Sequence, residues 1–353
     1  MAPVCIIFKC ENRIIAASFG PFLTQDKQQT VLRFLYAKFK YVHRLMSHTS
    51  ELLRICSSYH QRSKGIGWLV AVEDKEPTDQ PNMEPNATLI YRIDQSLLHS
   101  SQLVLERRTL EAQTTTPEYF ASCVDRILKK KLFAPYSPQS RLLKSSLAII
   151  SSTFILMHEL NARAATAYDR ENSQHEKQLL QFWDLAMPNE ALTKRVGKQW
   201  EKIGFQGHDP ATDFRGMGCL GLDDLFYYAK YHPMSFQRVL KSSHHDTAWF
   251  SMAIVGINIT GFTLSLLRKR YLQPFFYKYG VSKDVYHEFY CYVFNAFEIK
   301  WTAGNSFLTV MDFGKFFEEF QKEIERELER VLSVTMVLDE GRHVFNNDKR
   351  VGK

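Results

Sequence analysis

Apolar residues recur at three- to four-residue spacing along most of the chain, which is the period of an amphipathic α-helix. Alternation typical of strands is absent beyond residue 87, and before it only residues 65–72 suggest a short strand. We therefore predict an all-α, mainly helical fold. After residue 140 the pattern predicts helices over residues 141–166, 175–187, 190–203, 220–231, 248–278 with a break before Pro274, 282–302 and 312–331.

Residue types at the helix ends support this interpretation. Thr116, Pro117 and Glu118 are typical of an N-cap, a first helical position and a first-turn acid, and they predict a further helix that ends at the lysines 129–131. In the last helix Glu318 and Lys322 form an i,i+4 pair. The apolar face of that helix consists of Phe313, Phe317, Phe320, Ile324, Leu328 and Val331.

Charge is concentrated at one end of the chain. The net charge is +7, and residues 1–64 hold ten of the 45 basic residues but three of the 38 acidic ones, so the remainder is neutral. Residues 31–56 place basic and apolar residues at helical spacing. This pattern predicts a basic amphipathic helix that either lies on an anionic membrane surface or packs on the protein. Aromatic and basic residues do not interleave in the neutral body, which argues against nucleic-acid binding.

Composition also indicates the organisation of the chain and its compartment. Residues 73–86 contain three prolines and no periodicity, which predicts a loop or linker over 65–86 after a basic arm over 1–64. The six cysteines lack zinc-ligand spacing, so we expect reduced, mostly buried thiols and no metal site. The apolar runs 4–8, 147–157 and 252–267 are too short for a signal peptide or a membrane span, which predicts a cytoplasmic protein.

Residues 216–221 read G-x-G-x-x-G, the spacing of a dinucleotide-binding loop. A polar segment containing Pro210 precedes them instead of a strand, and no acidic residue follows at the required distance, so the dinucleotide interpretation fails. In the structural alternative, Thr212 or Asp213 caps a helix whose glycines pack closely on a neighbour, and Arg215 lies in its first turn.

Two other fragments suggest chemistry that their surroundings do not support. Residues 312–314 spell the kinase metal-binding triplet Asp-Phe-Gly, but no H-R-D catalytic loop precedes them, so we predict a helix start there. Residues 244–246, His-His-Asp, have no partner at ligand spacing, and we predict a polar turn.

The segment around Arg215 resembles the motif of the ELMO-domain-containing (ELMOD) proteins, W-x3-GFQ-x3-P-x-TDFRG-x-G-x-LGL-x2-L-x2-F. This chain has Trp200 followed by GFQGHDPATDFRGMGCLGLDDL at 204–225, with Tyr228 at the last position and His208 where the family often has Asp. The likeness covers residues 165–335 well and 31–165 more weakly, and residues 1–30 have no counterpart. It implies a single helical ELMO domain at 166–335 with an N-terminal helical extension that includes 87–165, and a C-terminal tail at 336–353.

ELMOD proteins are GTPase-activating proteins for Arf and Arf-like small GTPases, and the resemblance implies the same activity here. The arginine of the family's DFRG sequence is its arginine finger, and it matches Arg215. The GTP-bound partner would hold the nucleotide and Mg²⁺, so no cofactor is expected. Arf-family GTPases act on membranes, so a peripheral membrane position is expected as well.

Other residues of the motif are expected to support Arg215. Asp213 would orient it, and Gln206 would hold the loop or contact the partner. The remaining residues assigned to partner binding or loop orientation are His208, Asp209, Thr212, Gly216 and Gly218. The residues expected in the core are Trp200, Phe205, Phe214, Leu222 and Leu225.

The alternative function is a scaffold. The larger engulfment and cell-motility (ELMO) proteins share the domain but bind a Dock-type exchange factor. They also have armadillo-like and PH regions and typically lack the DFRG arginine. This chain is shorter and has Arg215, which favours GTPase activation.

Overall fold

The computed structural model describes residues 49–67, 84–113, 116–303, 308–329, 334–339 and 342–347. The chain divides into two compact units, residues 1–148 and 149–353. The described residues are mainly helical, as predicted, and they include one antiparallel pair of strands near the C-terminal end.

The first unit contains α1 (Glu51–Gly67), α2 (Ala87–Leu98), α3 (Val104–Leu110), α4 (Pro117–Lys130) and the start of α5 (Pro138–Ala165). Its helices pack in pairs, α1 on α2 and α3 on α4. The Thr116 side chain accepts the Tyr119 N–H (3.3 Å), which confirms the predicted cap of α4.

Helix α1 holds the described end of the basic arm. Leu52, Ile55 and Cys56 are buried, so this part of the arm packs on the protein. The predicted strand is wrong over 65–67, which belong to α1, while residues 68–72 lie outside the described residues. Residues 1–48 and most of the predicted linker, 68–83, also lie outside them.

Helix α5 is the one helix among the described residues that is long and apolar enough to cross a membrane. In its most apolar stretch, 56% of the residues are buried inside the protein. A core helix of a globular protein has the same length and composition, so α5 is weak evidence for a span.

The second unit is built around α7 (Gly218–Tyr231), which makes its most extensive helix contacts with α6 (Ser173–Ala186), α8 (Pro233–Ser243), α9 (Met252–Arg268) and α11 (Lys283–Thr302). The remaining elements are α10 (Gln273–Tyr279), α12 (Phe313–Glu329), β1 (Val334–Asp339) and β2 (Arg342–Asn347). Its apolar side chains pack into the core of the unit, where Leu222, Leu225 and Tyr228 are fully buried.

Several predicted features of the second unit are confirmed. Phe320, Ile324 and Leu328 of α12 are buried, and Lys322 lies 2.6 Å from Glu318 on the exposed face. Residues 244–246 form a polar turn in which the His245 Nδ1 accepts backbone N–H groups. Asp312 closes a capping box with Thr309 just before α12, as expected of a helix start. The four cysteines among the described residues are unpaired and buried.

Other predicted features are wrong. Residues 190–197 form turns instead of a helix, and only Lys198–Ile203 coil into a 3₁₀ helix. Their polar groups bond locally, since Gln199 bonds Glu190, the Ala191 carbonyl and Thr193. The helical stretch over 248–278 is broken before Pro274 as predicted, but its first helix, α9, begins at Met252 instead of 248. Helix α8 and the β1–β2 hairpin were not predicted, and the hairpin crosses the expected boundary between domain and tail at 335/336.

Candidate functional site

Arg215 lies in the 3₁₀ helix Pro210–Gly216, within a segment that we call the Arg215 loop (residues 204–217). The sequence had suggested that Arg215 lies in the first turn of the helix. Because α7 begins at Gly218, Arg215 precedes it instead. Its side chain is exposed. Within the described part of the chain, no hydrogen bond or ion pair engages its guanidinium.

Asp209 caps the 3₁₀ helix. Its Oδ1 accepts the Ala211 N–H at 3.0 Å. The predicted cap at Thr212 or Asp213 is therefore wrong, because Pro210 takes the first helical position and leaves the capping role to the residue before it. Thr212 instead donates its hydroxyl to the Asp209 carbonyl at 2.9 Å, which adds a second bond at this turn.

Phe214 fixes the backbone one residue before Arg215. Its ring is fully buried, stacked on Tyr168 with 5.5 Å between centroids and edge-on to Phe205 at 5.7 Å. The five motif residues expected in the core are all buried, Phe205 and Phe214 among them. Arg215 thus extends from a backbone that the core holds on one side.

Asp213 ties the two ends of the loop together. Its Oδ2 accepts the Gln206 N–H at 2.8 Å. Burial raises the pKa of Asp213, and the Gln206 hydrogen bond and the charge of Arg215 oppose that rise. The structure therefore places Asp213 as a clamp on the backbone of Gln206, while its influence on Arg215 is electrostatic and involves no hydrogen bond.

A network of charged side chains lies beneath the loop. The Arg195 Nη1 donates to the Asp209 Oδ1 at 3.0 Å, and Arg170 pairs with the other carboxylate oxygen. Arg195 also grips Glu176 of α6 with two hydrogen bonds, at 2.6 and 2.8 Å. Glu176 in turn accepts the Tyr168 hydroxyl at 2.7 Å. Both arginines are therefore engaged with carboxylates, unlike Arg215.

Sequence reasoning identified Asp209 but missed its partners. The partners are Arg170 and Arg195, which lie outside the motif segment, and no spacing rule links them to Asp209. The sequence did carry a signal for the cap itself. Asp is preferred at the N-cap, and Pro210 immediately after Asp209 is typical of the first helical position.

Gln206 and His208 face solvent. The His208 imidazole lies 3.7 Å from the Glu201 carboxylate, and its backbone carbonyl accepts the Gly197 N–H at 2.8 Å. That backbone bond places exposed Val196 beside the loop. The outer surface of the loop therefore presents polar groups, one apolar side chain and the Arg215 cation.

The two glycines after Arg215 have different roles. Gly218 has φ +51°, and a Cβ there would lie 2.3 Å from the Thr166 carbonyl oxygen and 2.5 Å from that of Ala164. At Gly216 a Cβ would meet only the Ile257 side chain, at 3.9 Å. The second glycine lets the start of α7 lie against the end of α5, which confirms the expected close packing.

The site is suited to stabilising negative charge on another molecule. An exposed guanidinium offers five N–H donors and a permanent positive charge, which suit phosphate oxygens. The backbone that carries Arg215 is restrained by the core and by the hydrogen bonds of Asp209 and Asp213. Ordering the backbone before a partner arrives reduces the entropy lost on docking.

Comparison with known proteins places this loop inside a recognised family region. Residues 158–317 match the model of the ELMO/CED-12 family, and this range contains the whole Arg215 loop and the charged network beneath it.

Individual relatives extend the match over more of the chain. ELMO domain-containing protein 2 of Mus musculus is 38% identical over 216 residues, covering 60% of this chain and 72% of the mouse protein. ELMO domain-containing protein B of Dictyostelium discoideum is 30% identical over 289 residues, covering 82% of this chain and 93% of that protein. ELMO domain-containing protein 1 of Homo sapiens is 30% identical over 319 residues, covering 82% of this chain and 87% of the human protein.

Proposed function

Because this chain belongs to the ELMO/CED-12 family, we propose that it is a GTPase-activating protein for small GTPases of the Arf and Arf-like class. The observation that carries the proposal is Arg215, an exposed arginine without an intramolecular partner among the described residues, on a loop restrained from below. We propose Arg215 as the catalytic residue that this chain contributes.

The proposed mechanism is stabilisation of charge in the transition state. During GTP hydrolysis negative charge builds on the γ-phosphate oxygens and on the bridging oxygen of the leaving group. The Arg215 guanidinium would enter the partner's site and donate hydrogen bonds to those oxygens. The GTPase would hold GTP and Mg²⁺ and position the attacking water, so this chain needs no cofactor of its own. An arginine supplied in trans raises the rate by about 10³- to 10⁵-fold.

The partner would dock on the outer surface of the Arg215 loop. Gln206, His208 and Thr212 are exposed there, and Val196 lies beside them, 50% exposed. These side chains offer hydrogen bonds and a small apolar contact around Arg215. Contacts of this kind set affinity and orientation, while the guanidinium acts on the reacting phosphate.

We also propose that this protein is cytoplasmic and acts at anionic membrane surfaces through its basic arm. Because Leu52, Ile55 and Cys56 are buried in the protein, the membrane contact is assigned to residues 31–48. Replacing their basic residues by glutamine should reduce co-sedimentation with vesicles containing phosphatidylserine. Equal co-sedimentation of the variant and the unaltered protein would show that the arm does not bind membranes.

Single-turnover GTP hydrolysis by a panel of Arf and Arf-like GTPases tests the central proposal. We expect the unaltered protein to accelerate hydrolysis by at least one member. Arg215→Ala should abolish the stimulation, and Arg215→Lys should restore little of it, because one ammonium cannot reproduce the planar fork. Arg326→Ala, an exposed arginine of α12, is the matched control and should retain full stimulation.

The outcomes separate the two functions that the family contains. Stimulation that is lost with Arg215 identifies both the partner and the catalytic group. A protein that binds GTP-loaded GTPase or an exchange factor but stimulates no hydrolysis would be a scaffold. Full activity of Arg215→Lys would show that charge alone suffices and would contradict the proposed geometry.

A further inference from the structure

We propose that Arg195 is a positioning residue for the Arg215 loop. For its effect on GTP hydrolysis this inference rests on the proposed function of Arg215. Its effect on the loop itself rests on geometry alone. Arg195 lies outside the motif segment at 204–225, yet its side chain bonds Asp209 within that segment and its backbone carbonyl bonds Trp200, the tryptophan that precedes it in the motif.

The side chain joins two elements that the sequence separates. The Nε and Nη2 of Arg195 donate to Glu176 of α6, at 2.6 and 2.8 Å, and its Nη1 donates to the Asp209 cap at 3.0 Å. One planar guanidinium thus connects α6 to the residue that begins the 3₁₀ helix. A lysine in its place could reach one carboxylate but could not form this three-bond arrangement.

The network then returns to the residue beside Arg215. Glu176 accepts the Tyr168 hydroxyl at 2.7 Å, and the Tyr168 ring stacks on Phe214. Arg195 therefore restrains the 3₁₀ helix at both ends: it bonds the cap directly, and through Glu176 and Tyr168 it supports the buried ring of Phe214. A shift in the guanidinium would act on both supports together.

The backbone around Arg195 adds two more connections. Its carbonyl accepts the indole N–H of buried Trp200 at 2.9 Å. Two residues later, the Gly197 N–H donates to the His208 carbonyl at 2.8 Å. The Phe205 N–H also donates to the Trp200 carbonyl, so segment 195–200 is hydrogen-bonded to the loop at Phe205 and His208 as well as at Asp209.

Burial makes the bond to Asp209 consequential. The Asp209 side chain is 10% exposed, and that of Arg195 is 24% exposed. A carboxylate shielded from water depends on its partners, and the other cation at Asp209 comes from Arg170, whose side chain is 57% exposed. When Arg195 cannot hold Asp209, we expect the cap to move towards solvent and the 3₁₀ helix to loosen.

A second arginine in the same unit provides a matched control. Arg163 of α5 makes the same two-bond contact with Asp223 of α7, at 2.6 and 2.8 Å, and its side chain is 33% exposed. Its hydrogen bonds are to α7 and not to the Arg215 loop. Arg195→Lys and Arg163→Lys therefore each remove a two-bond contact between an arginine and a carboxylate, but only Arg195 is also bonded to the Arg215 loop.

The first readout needs no GTPase. Hydrogen–deuterium exchange of residues 204–217 should become about 10-fold faster in Arg195→Lys, since the Ala211 amide loses the restraint on its acceptor Asp209. Arg163→Lys should leave the same amides at the rate of the unaltered protein. Equal exchange of this segment in all three proteins would overturn the inference.

The second readout is the stimulated hydrolysis rate against activator concentration. Arg195→Lys should lower the rate at saturating activator by about 10- to 100-fold, because small misplacement of a catalytic group has effects of that size. The concentration for half-maximal stimulation should change far less. Arg163→Lys should change neither quantity. A maximal rate that Arg195→Lys leaves unchanged would overturn the positioning role even if exchange increased.

Two further measurements keep these outcomes distinct. If Arg195→Lys fails to fold, Asp209→Asn removes the same ion pair while keeping an oxygen for the cap, and it should give the same two results. If the unaltered protein stimulates no GTPase, the proposed function fails, and the exchange experiment still decides whether Arg195 holds the loop.

Discussion

Replacing Gly218 by alanine adds one methyl group at the point where α7 meets the end of α5. Gly218 has a left-handed backbone, with φ +51°, which side chains other than that of glycine rarely adopt. The added Cβ would lie 2.3 Å from the Thr166 carbonyl oxygen and 2.5 Å from that of Ala164. The neighbouring Cys219 N–H donates to the same Thr166 oxygen at 2.9 Å, so this contact cannot widen without losing a hydrogen bond.

Two costs combine at this position. An L-residue in the left-handed region loses about 1–2 kcal/mol, and overpacking by one carbon costs about 1–3 kcal/mol. Their sum predicts a loss of about 2–5 kcal/mol in the free energy of unfolding. For a domain of 150–250 residues each kcal/mol lowers Tm by about 2–4 °C, so Gly218→Ala should melt about 4–20 °C below the unaltered protein.

Thermal unfolding followed by far-UV circular dichroism measures the effect, and Gly216→Ala is the control two residues away. A Cβ at Gly216 would meet only the Ile257 side chain, at 3.9 Å, and its backbone is not left-handed. The control should therefore stay within about 0.5 kcal/mol of the unaltered protein. Equal melting of the two variants would refute the close approach of α7 to α5 at Gly218.

Three further predictions concern the loop and its supports. Phe214→Ala removes a fully buried ring stacked on Tyr168 and should lower the free energy of unfolding by about 3–5 kcal/mol in urea denaturation. Burial alone would raise the pKa of Glu176, but bonds from Arg195 and Tyr168 outweigh it and hold that pKa below its ordinary value of 4.5. The stabilisation from Glu176 is therefore present above that value and is lost as pH falls through the lower pKa of the folded state, so Glu176→Gln should weaken the acid dependence of unfolding. Val196→Asp changes an exposed side chain beside the loop and should raise the activator concentration needed for half-maximal stimulation, with the maximal rate and Tm unchanged.

The parts of the fold that follow from local chemistry could be predicted from the sequence. Thr116 and Pro117 start α4 because a capping hydroxyl and a fixed φ act within one turn. The buried stripe of α12 follows from a period that the sequence displays directly. The tight glycine at 218 was also predictable, since close packing is one of the few reasons for glycine near a helix start.

The parts that depend on distant residues could not be predicted. The turns at 190–197 carry an apolar spacing compatible with a helix, but their polar groups find partners that the spacing does not reveal. Asp209 resembles an ordinary loop acid until Arg195 and Arg170 are seen to converge on it. The Asp-Pro pair could have identified the cap, but local propensity does not reveal the distant arginines that hold it.

Composition alone also cannot select the proposed catalytic arginine, which the motif resemblance and not the charge pattern identified. Arg170, Arg195 and Arg215 all belong to the region around this loop, and composition treats them as equivalent charges. The structure separates them by partner: the first two pair with Asp209, while the third has no hydrogen-bond or ion-pair partner in the described part of the chain. An arginine committed to a buried carboxylate would have to break that pair before it could bind a phosphate, at a cost of several kcal/mol. Arg215 would have to give up only its hydration. Arg170 and Arg195, which pair with Asp209, hold the cap of the 3₁₀ helix that carries Arg215. This division between support and exposed charge is the reason to test Arg195 and Arg215 side by side, since loss of either should lower the maximal rate while only loss of Arg195 should loosen the loop.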